Sequence, residues 1–263
     1  MKFDYKKYIR SHLLSLTPYR SAREEFEAEG RSMILMDANE NPFESDVNRY
    51  PDPMQRELKK EIAQWRGVDQ NQIYLCNGSD EFISNVIMGC CEPGKDSIMI
   101  LPPTFGMYKV SAKTYGIGIQ EVPLTKSFQL DVDSILKTAD ENSKIIFIPT
   151  PNNPTGNNFN LEAIELLIQR FPGIVVVDEA YTEFSSNSSV IPWLLKYPNL
   201  MVCQTFSKAQ GMAGARLGMA FAHRDFINFF NRIKAPYNIN SLTINAALKR
   251  LKEQDGVNTQ VDL

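Results

Sequence analysis

The sequence holds few of the residues that most often announce chemistry. Its two histidines, His12 and His223, lie far apart and without an acidic or cysteine partner pattern. That leaves no histidine-based metal or nucleophile site. Four cysteines, at 76, 90, 91 and 203, show no metal-ligand spacing. Cys90 and Cys91 close an apolar helical run and read as core thiols of a protein kept in the reducing cytoplasm. Neither charge dominates: a net charge of −3 gives no pull toward nucleic acid or an anionic membrane. No apolar run is long enough to span a bilayer, and the N-terminal Met1-Lys-Phe-Asp-Tyr lacks the apolar core of a signal peptide. The dinucleotide pattern Gly-x-Gly-x-x-Gly is missing, as is the phosphate loop Gly-x-x-x-x-Gly-Lys-Ser/Thr. No internal repeat or low-complexity stretch occurs.

What is present is a globular composition, 43% hydrophobic and 22% charged in 263 residues, enough for one large domain or two smaller ones. A short strand over Met33–Asp37 and a polar turn precede the rigid loop Asn48–Pro53, where a boundary is placed. After it, helices and strands alternate. Met54, Leu58, Ile62 and Trp65 share a helical face, and Ile73–Cys76, Ser97–Leu101, Lys144–Ile148, Gly173–Val177 and Leu200–Thr205 read as strands. Strands apolar throughout are buried on both faces, so the chain is expected to be α/β with a mostly parallel sheet flanked by helices. The tail, Glu253–Leu263, is polar and expected to fray.

Four segments place polar groups at the ends of candidate strands, where such sheets bind ligands. Asn77-Gly-Ser79-Asp80-Glu81 opens a helix and suits either a phosphate or a plain N-cap by Ser79. Asn152 and Asn153 sit between prolines in a stiff loop that either aims an amide or only turns the chain. Asp178 ends the run Val175–Val177; a buried carboxylate needs a positive partner, a protonated pyridine nitrogen or an arginine. Tyr181 follows within reach. Finally, Lys208 stands where Thr205-Phe206-Ser207 ends a strand, followed by Gly211, Gly214 and Gly218 with Arg216 among them. A lysine there can capture an aldehyde, and Ser207 with Arg216 can bind phosphate; the bland alternative is a surface lysine after an edge strand.

Taken in order, Thr-Pro-Tyr19, Asp-Ala-Asn39-Glu-Asn-Pro, Asn-Arg-Tyr50-Pro-Asp, Asn-Gly-Ser79-Asp80-Glu81, Pro-Pro-Thr-Phe105-Gly-Met-Tyr, Pro-Asn152-Asn153-Pro-Thr-Gly, Val-Asp178-Glu-Ala-Tyr181 and Thr205-Phe-Ser207-Lys208-Ala resemble the fold-type I pyridoxal-phosphate-dependent aminotransferases. The Thr-Pro-Tyr and Asn-Arg-Tyr-Pro-Asp elements make the histidinol-phosphate aminotransferase branch the nearest. The resemblance implies a seven-stranded large domain over 46–240, an N-terminal arm or small-domain piece over 1–45, and the start of a connection over 241–263. It implies pyridoxal 5'-phosphate as cofactor and transamination between histidinol phosphate and 2-oxoglutarate. The alternatives are an aromatic aminotransferase, a carbon–sulfur lyase or a cofactor-binding chain without turnover. By resemblance, Lys208 holds the cofactor and shuttles the proton, Asp178 keeps the ring nitrogen protonated, and Asn153 and Tyr181 bond the ring oxygen. Phe105, where the family more often has tyrosine, stacks on the ring. Ser79, Asp80, Ser207 and Arg216 bind the phosphate, Thr205 is a further cofactor contact, Tyr50 reaches the neighbouring site of a homodimer, and Tyr19 and Asn39 face the substrate. One departure is expected to matter: the family's C-terminal small domain, with its substrate-binding arginine, has no counterpart in these residues, so substrate binding is expected to be poorer than cofactor binding.

Overall fold

The computed structural model describes residues 3–19 and 36–263. Its frame is a seven-stranded sheet of β1 (Ile73–Cys76), β2 (Ser97–Ile100), β3 (Gly118–Glu121), β4 (Ser143–Pro149), β5 (Ile174–Asp178), β6 (Leu200–Thr205) and β7 (Gly218–Ala222). The helices are α1 (Ser11–Leu14), α2 (Arg56–Arg66), α3 (Ser79–Cys90), α4 (Met107–Thr114), α5 (Val132–Thr138), α6 (Leu161–Arg170), α7 (Arg224–Ile233), α8 (Ser241–Leu251) and α9 (Gln254–Val261). Strand order is β1-β7-β6-β5-β4-β2-β3, and β7 alone runs against the others. No crossover helix separates β6 from β7, so the chain turns straight back and pairs antiparallel. The expected mostly parallel sheet is therefore present, with its one reversal at the site's edge.

Period-two alternation divides the apolar strand residues between two cores. Ile146, Ile148, Val175 and Val177 pack with Leu58 and Ile62 of α2, Ile164 and Leu167 of α6, and Ala247 of α8. Ile145, Phe147, Ile174 and Val176 pack on the other face with Phe82 and Val86 of α3, Tyr108 and Ala112 of α4, and Phe226 and Phe230 of α7. Each fully buried Ile, Val or Phe contributes roughly 1.5–3 kcal/mol. Some helix starts are capped by side chains: Asn160 accepts from the Ala163 N–H before α6, and Asn240 from the Thr243 N–H before α8. His223 caps α7 through Nδ1 and packs against Phe3. The first histidine-poor reading thus ends in a structural histidine.

Two expectations differ from the structure. The tail is not frayed: α9 forms, with Val257 fully buried and Gln254 exchanging side-chain hydrogen bonds with Gln210. Its single apolar anchor and an amide pair leave almost no periodic signal. Of the expected Met33–Asp37 strand, residues 33–35 lie outside the described residues, and Met36 and Asp37 are not in a strand.

Candidate active site

The carboxyl edge of the sheet carries a cleft of about 200 Å³. Its lining includes Ser79, Asp80, Phe105, Asn153, Asp178, Tyr181, Thr205, Ser207, Lys208 and Arg216. They come from the ends of β1, β2, β4, β5 and β6 or the segments that follow them, and Arg216 from the turn before β7. Because β7 is antiparallel, Arg216, just ahead of it, reaches the same edge as Lys208 after β6.

One end of the cleft is built for an anion. The α3 N-cap is Gly78, at φ 75°, and no side chain caps the helix. The plain capping role open to Ser79 in the sequence is therefore not the one it plays: Ser79 is the first helical residue, no side chain accepts from the first turn, and Ser79 and Asp80 line the cleft. Arg216, held in the left-handed region at φ 54°, lays its guanidinium 3.3 Å from Asp80 Oδ2. Thr205 Oγ1 lies 3.0 Å from Ser207 Oγ and accepts from the Ser207 N–H at 3.1 Å, which fixes the turn leading to Lys208.

Two glycines, quoted in the sequence only as members of their motifs, let the loops of this end approach. A Cβ on Gly218 would stand 2.5 Å from the Ser79 nitrogen, and one on Gly78 would stand 2.4 Å from Arg216 Nη2. A side chain at Gly218 would push against the Gly78–Ser79 backbone, and one at Gly78 would displace the Arg216 guanidinium. The signal was weak in the sequence, since a glycine after a strand has many uses.

The middle and far wall suit a flat ring. Lys208 Nζ lies 5.3 Å from the centroid of the Tyr181 ring. Asp178 is 5% exposed, accepting from the Ala180 N–H at 3.1 Å and from Tyr108 Oη at 2.6 Å. Among the described residues it makes no ion pair. Burial pushes its carboxyl above the ordinary range, while the Tyr108 and Ala180 hydrogen bonds and the Lys208 charge pull it back. Tyr108 closes the quoted Phe105-Gly-Met-Tyr stretch, but the sequence reading gave it no role beyond the start of a helix. The two asparagines separate in role. Asn153 lines the cleft, whereas Asn152 braces the loops, donating to Pro103 O at 3.0 Å and Thr155 Oγ1 at 2.6 Å.

Tyr19, Asn39 and Tyr50 are not brought into this cleft. Tyr19 is exposed, Asn39 and Tyr50 line a separate recess, and Tyr50 stacks on Tyr237 with centroids 4.4 Å apart. Among the described residues no group of three or more His, Cys, Asp or Glu could hold a metal, and no helix is long and apolar enough to cross a membrane.

Comparison with known proteins agrees with this geometry. Residues 34–262 match the family described as aminotransferase class I and II. The chain is 46% identical over 259 residues to the histidinol-phosphate aminotransferase of Christiangramia forsetii, covering 98% of this chain and 74% of that one. It is 49% identical over 256 residues to that of Cytophaga hutchinsonii, covering 96% and 73%. The crystal structure of histidinol-phosphate aminotransferase from Sinorhizobium meliloti in complex with pyridoxal-5'-phosphate superposes with a TM-score of 0.76 at 25% identity, over 82% of this chain and 59% of that chain. The chain thus spans about three quarters of these curated relatives and less than two thirds of that solved structure. The chain belongs to the class I and II aminotransferases, and within them to the histidinol-phosphate aminotransferases.

Proposed function

We propose that the cleft binds pyridoxal 5'-phosphate and transfers an amino group between histidinol phosphate, with imidazole-acetol phosphate as its oxo form, and the glutamate/2-oxoglutarate pair. The observation that carries this is the shared cleft of Lys208 and Asp178, with an uncapped helix start and Arg216 at one end. The residues fit the cofactor. A buried carboxylate without an ion-pair partner suits a protonated ring nitrogen, and Ser79, Ser207 and Arg216 line the end of the cleft that would take a phosphate.

When bound, the cofactor supplies an electron sink for charge developing at the substrate carbon. This chain's residues do the rest. The Lys208 amine would hold the cofactor at rest, and Nζ would be the group that moves a proton at the substrate Cα. Asp178 keeps the ring nitrogen protonated. Asn153 and Tyr181 bond the ring oxygen, and Phe105 covers one ring face. The α3 N–H groups of Ser79 and Asp80, together with Thr205, Ser207 and Arg216, hold the phosphate end. Tyr19 and Asn39 are assigned to the substrate and Tyr50 to the neighbouring site of a homodimer, with 1–45, 46–240 and 241–263 as arm, large domain and connection. The four free, buried cysteines suit the reducing cytoplasm.

The test is a visible absorbance band on adding pyridoxal phosphate, followed by amino donors. The band is expected in the wild type and absent in Lys208→Ala, and glutamate and histidinol phosphate are expected to convert it. Conversion by an aromatic amino acid but not by histidinol phosphate would reject the substrate assignment. No band would reject the cofactor assignment.

A further inference from the structure

We propose that Tyr108 is a positioning residue for Asp178: its hydroxyl keeps the carboxylate charged and aimed at the ring nitrogen of the bound cofactor. This rests on the reading of Asp178 given above and adds a residue to it.

The geometry leaves Tyr108 little freedom. It is fully buried, its ring stacked on Phe147 with centroids 4.5 Å apart and planes 11° apart. Phe105, three residues earlier and ahead of the helix, meets it edge-on at 5.6 Å and 87°. The ring cannot swing without unpacking β4 or displacing the side chain assigned to the cofactor face. Its hydroxyl therefore stands at one point, 2.6 Å from Asp178 Oδ2. That is the length of a hydrogen bond from a hydroxyl to a charged carboxylate.

A packing tyrosine needs no such partner, and a buried aspartate without it would carry an unmet oxygen. The Ala180 N–H serves only the other oxygen, Oδ1. The remaining groups around the carboxylate divide: Lys208 favours its charge, Asp80 opposes it, and the buried thiol of Cys203 is held neutral. A donor to the charged form lowers the carboxyl's proton affinity, so a proton shared with a ring nitrogen stays on nitrogen. Burial holds the Tyr108 phenol protonated well beyond its ordinary range, so it remains a donor. In this arrangement one side chain connects the ring-stacking residue to the ring-nitrogen partner.

The test uses Tyr108→Phe, which keeps the ring packing, with Asp178→Asn and the double variant. In cofactor-free protein with ¹³C-labelled aspartate carboxyls, the Asp178 signal is assigned by its loss in Asp178→Asn. Its titration midpoint is expected to rise by about one unit in Tyr108→Phe. In loaded protein with ¹⁵N-labelled cofactor, the nitrogen signal is expected to move toward the unprotonated position. Turnover is expected to fall about tenfold with the donor KM unchanged, and Tyr108→Phe is expected to add nothing in the Asp178→Asn background. An unmoved midpoint with an unmoved nitrogen signal overturns the proposal, as does an additive loss in the double variant. If Tyr108→Phe does not fold, a fluorinated tyrosine at 108, a stronger donor, is expected to lower the Asp178 midpoint; no shift overturns the proposal. If Asp178→Asn leaves the nitrogen signal as in the wild type, the reading of Asp178 itself fails, a result distinct from failure of the Tyr108 variant alone.

Discussion

Asp178 and Glu179 are adjacent acids at the end of β5, 5% and 2% exposed, and burial pushes both carboxyls upward. They leave the strand on opposite sides. Glu179 faces the α6 and α8 side and is fully occupied: the Val190 N–H reaches Oε1 at 2.8 Å, and Ser189 Oγ and Gln204 Nε2 reach Oε2 at 2.7 and 2.8 Å. Arg66 adds a nearby positive charge. Asp178 faces the cleft with one donor on each oxygen. Burial and a displaced pKa are thus common to a brace and a working group. What separates them is where the unused lone pairs look. In Glu179 they are spent on the 185–190 loop and β6; in Asp178 some remain for a ligand.

The sharpest way to break this comparison is to neutralise each acid in turn. Asp178→Asn is expected to lower kcat for transamination on the order of 10³-fold, since it removes the charge that supports protonated nitrogen where electrons collect. Glu179→Gln is expected to leave kcat unchanged in whatever fraction folds. Equal losses in steady-state assays would mean that the two acids share one role.

Stability gives the second, opposite contrast. Glu179→Ala strands three buried donors and opens space on the sheet, at a cost of about 3–5 kcal/mol in urea unfolding. Trimming a single donor sharpens the point. Ser189→Ala is expected to cost about 1.5–3 kcal/mol, the range for a hydrogen bond to a charged group, and to leave cofactor affinity as it was. A loss of affinity in Ser189→Ala would tie the brace to the site.

How far the sequence announced this depends on the signal each residue left. Asp178 was legible because an acid after Val175-Val-Val177 breaks a buried run, and Lys208 because glycines follow it. The sheet was legible from runs buried on both faces, such as Ile145–Ile148. Glu179 was hidden by its neighbour: nothing local says that one acid meets a loop ten residues on while the other meets a cleft. Tyr108 was hidden because its partner lies 70 residues away and its spacing equals that of a core position. Gly78 and Gly218 matter through an approach between two loops that only the closed sheet creates. The α9 helix escaped because one valine and one amide pair carry its docking.

The smallest expected effect distinguishes the acids by pH. In cofactor-free protein Asp178 has a folded-state pKa above its unfolded value, so the folded chain binds the proton more tightly. The stability this gives is complete below the unfolded carboxyl pKa and is lost as pH rises through the folded one. Asparagine mimics the protonated form and escapes that loss. The melting temperature of Asp178→Asn is therefore expected to match the wild type below the ordinary carboxyl range and to exceed it at neutral pH. Saturating cofactor reverses the sign, because the wild type gains the stabilisation of a ligand whose nitrogen it pairs, and the variant gains less. Glu179→Gln, whose carboxyl is raised in the same direction, shows no such reversal, since its lone pairs never meet the ligand. Calorimetric scans with and without pyridoxal phosphate decide it: a cofactor-dependent sign change at both positions, or at neither, would remove the distinction between the two acids.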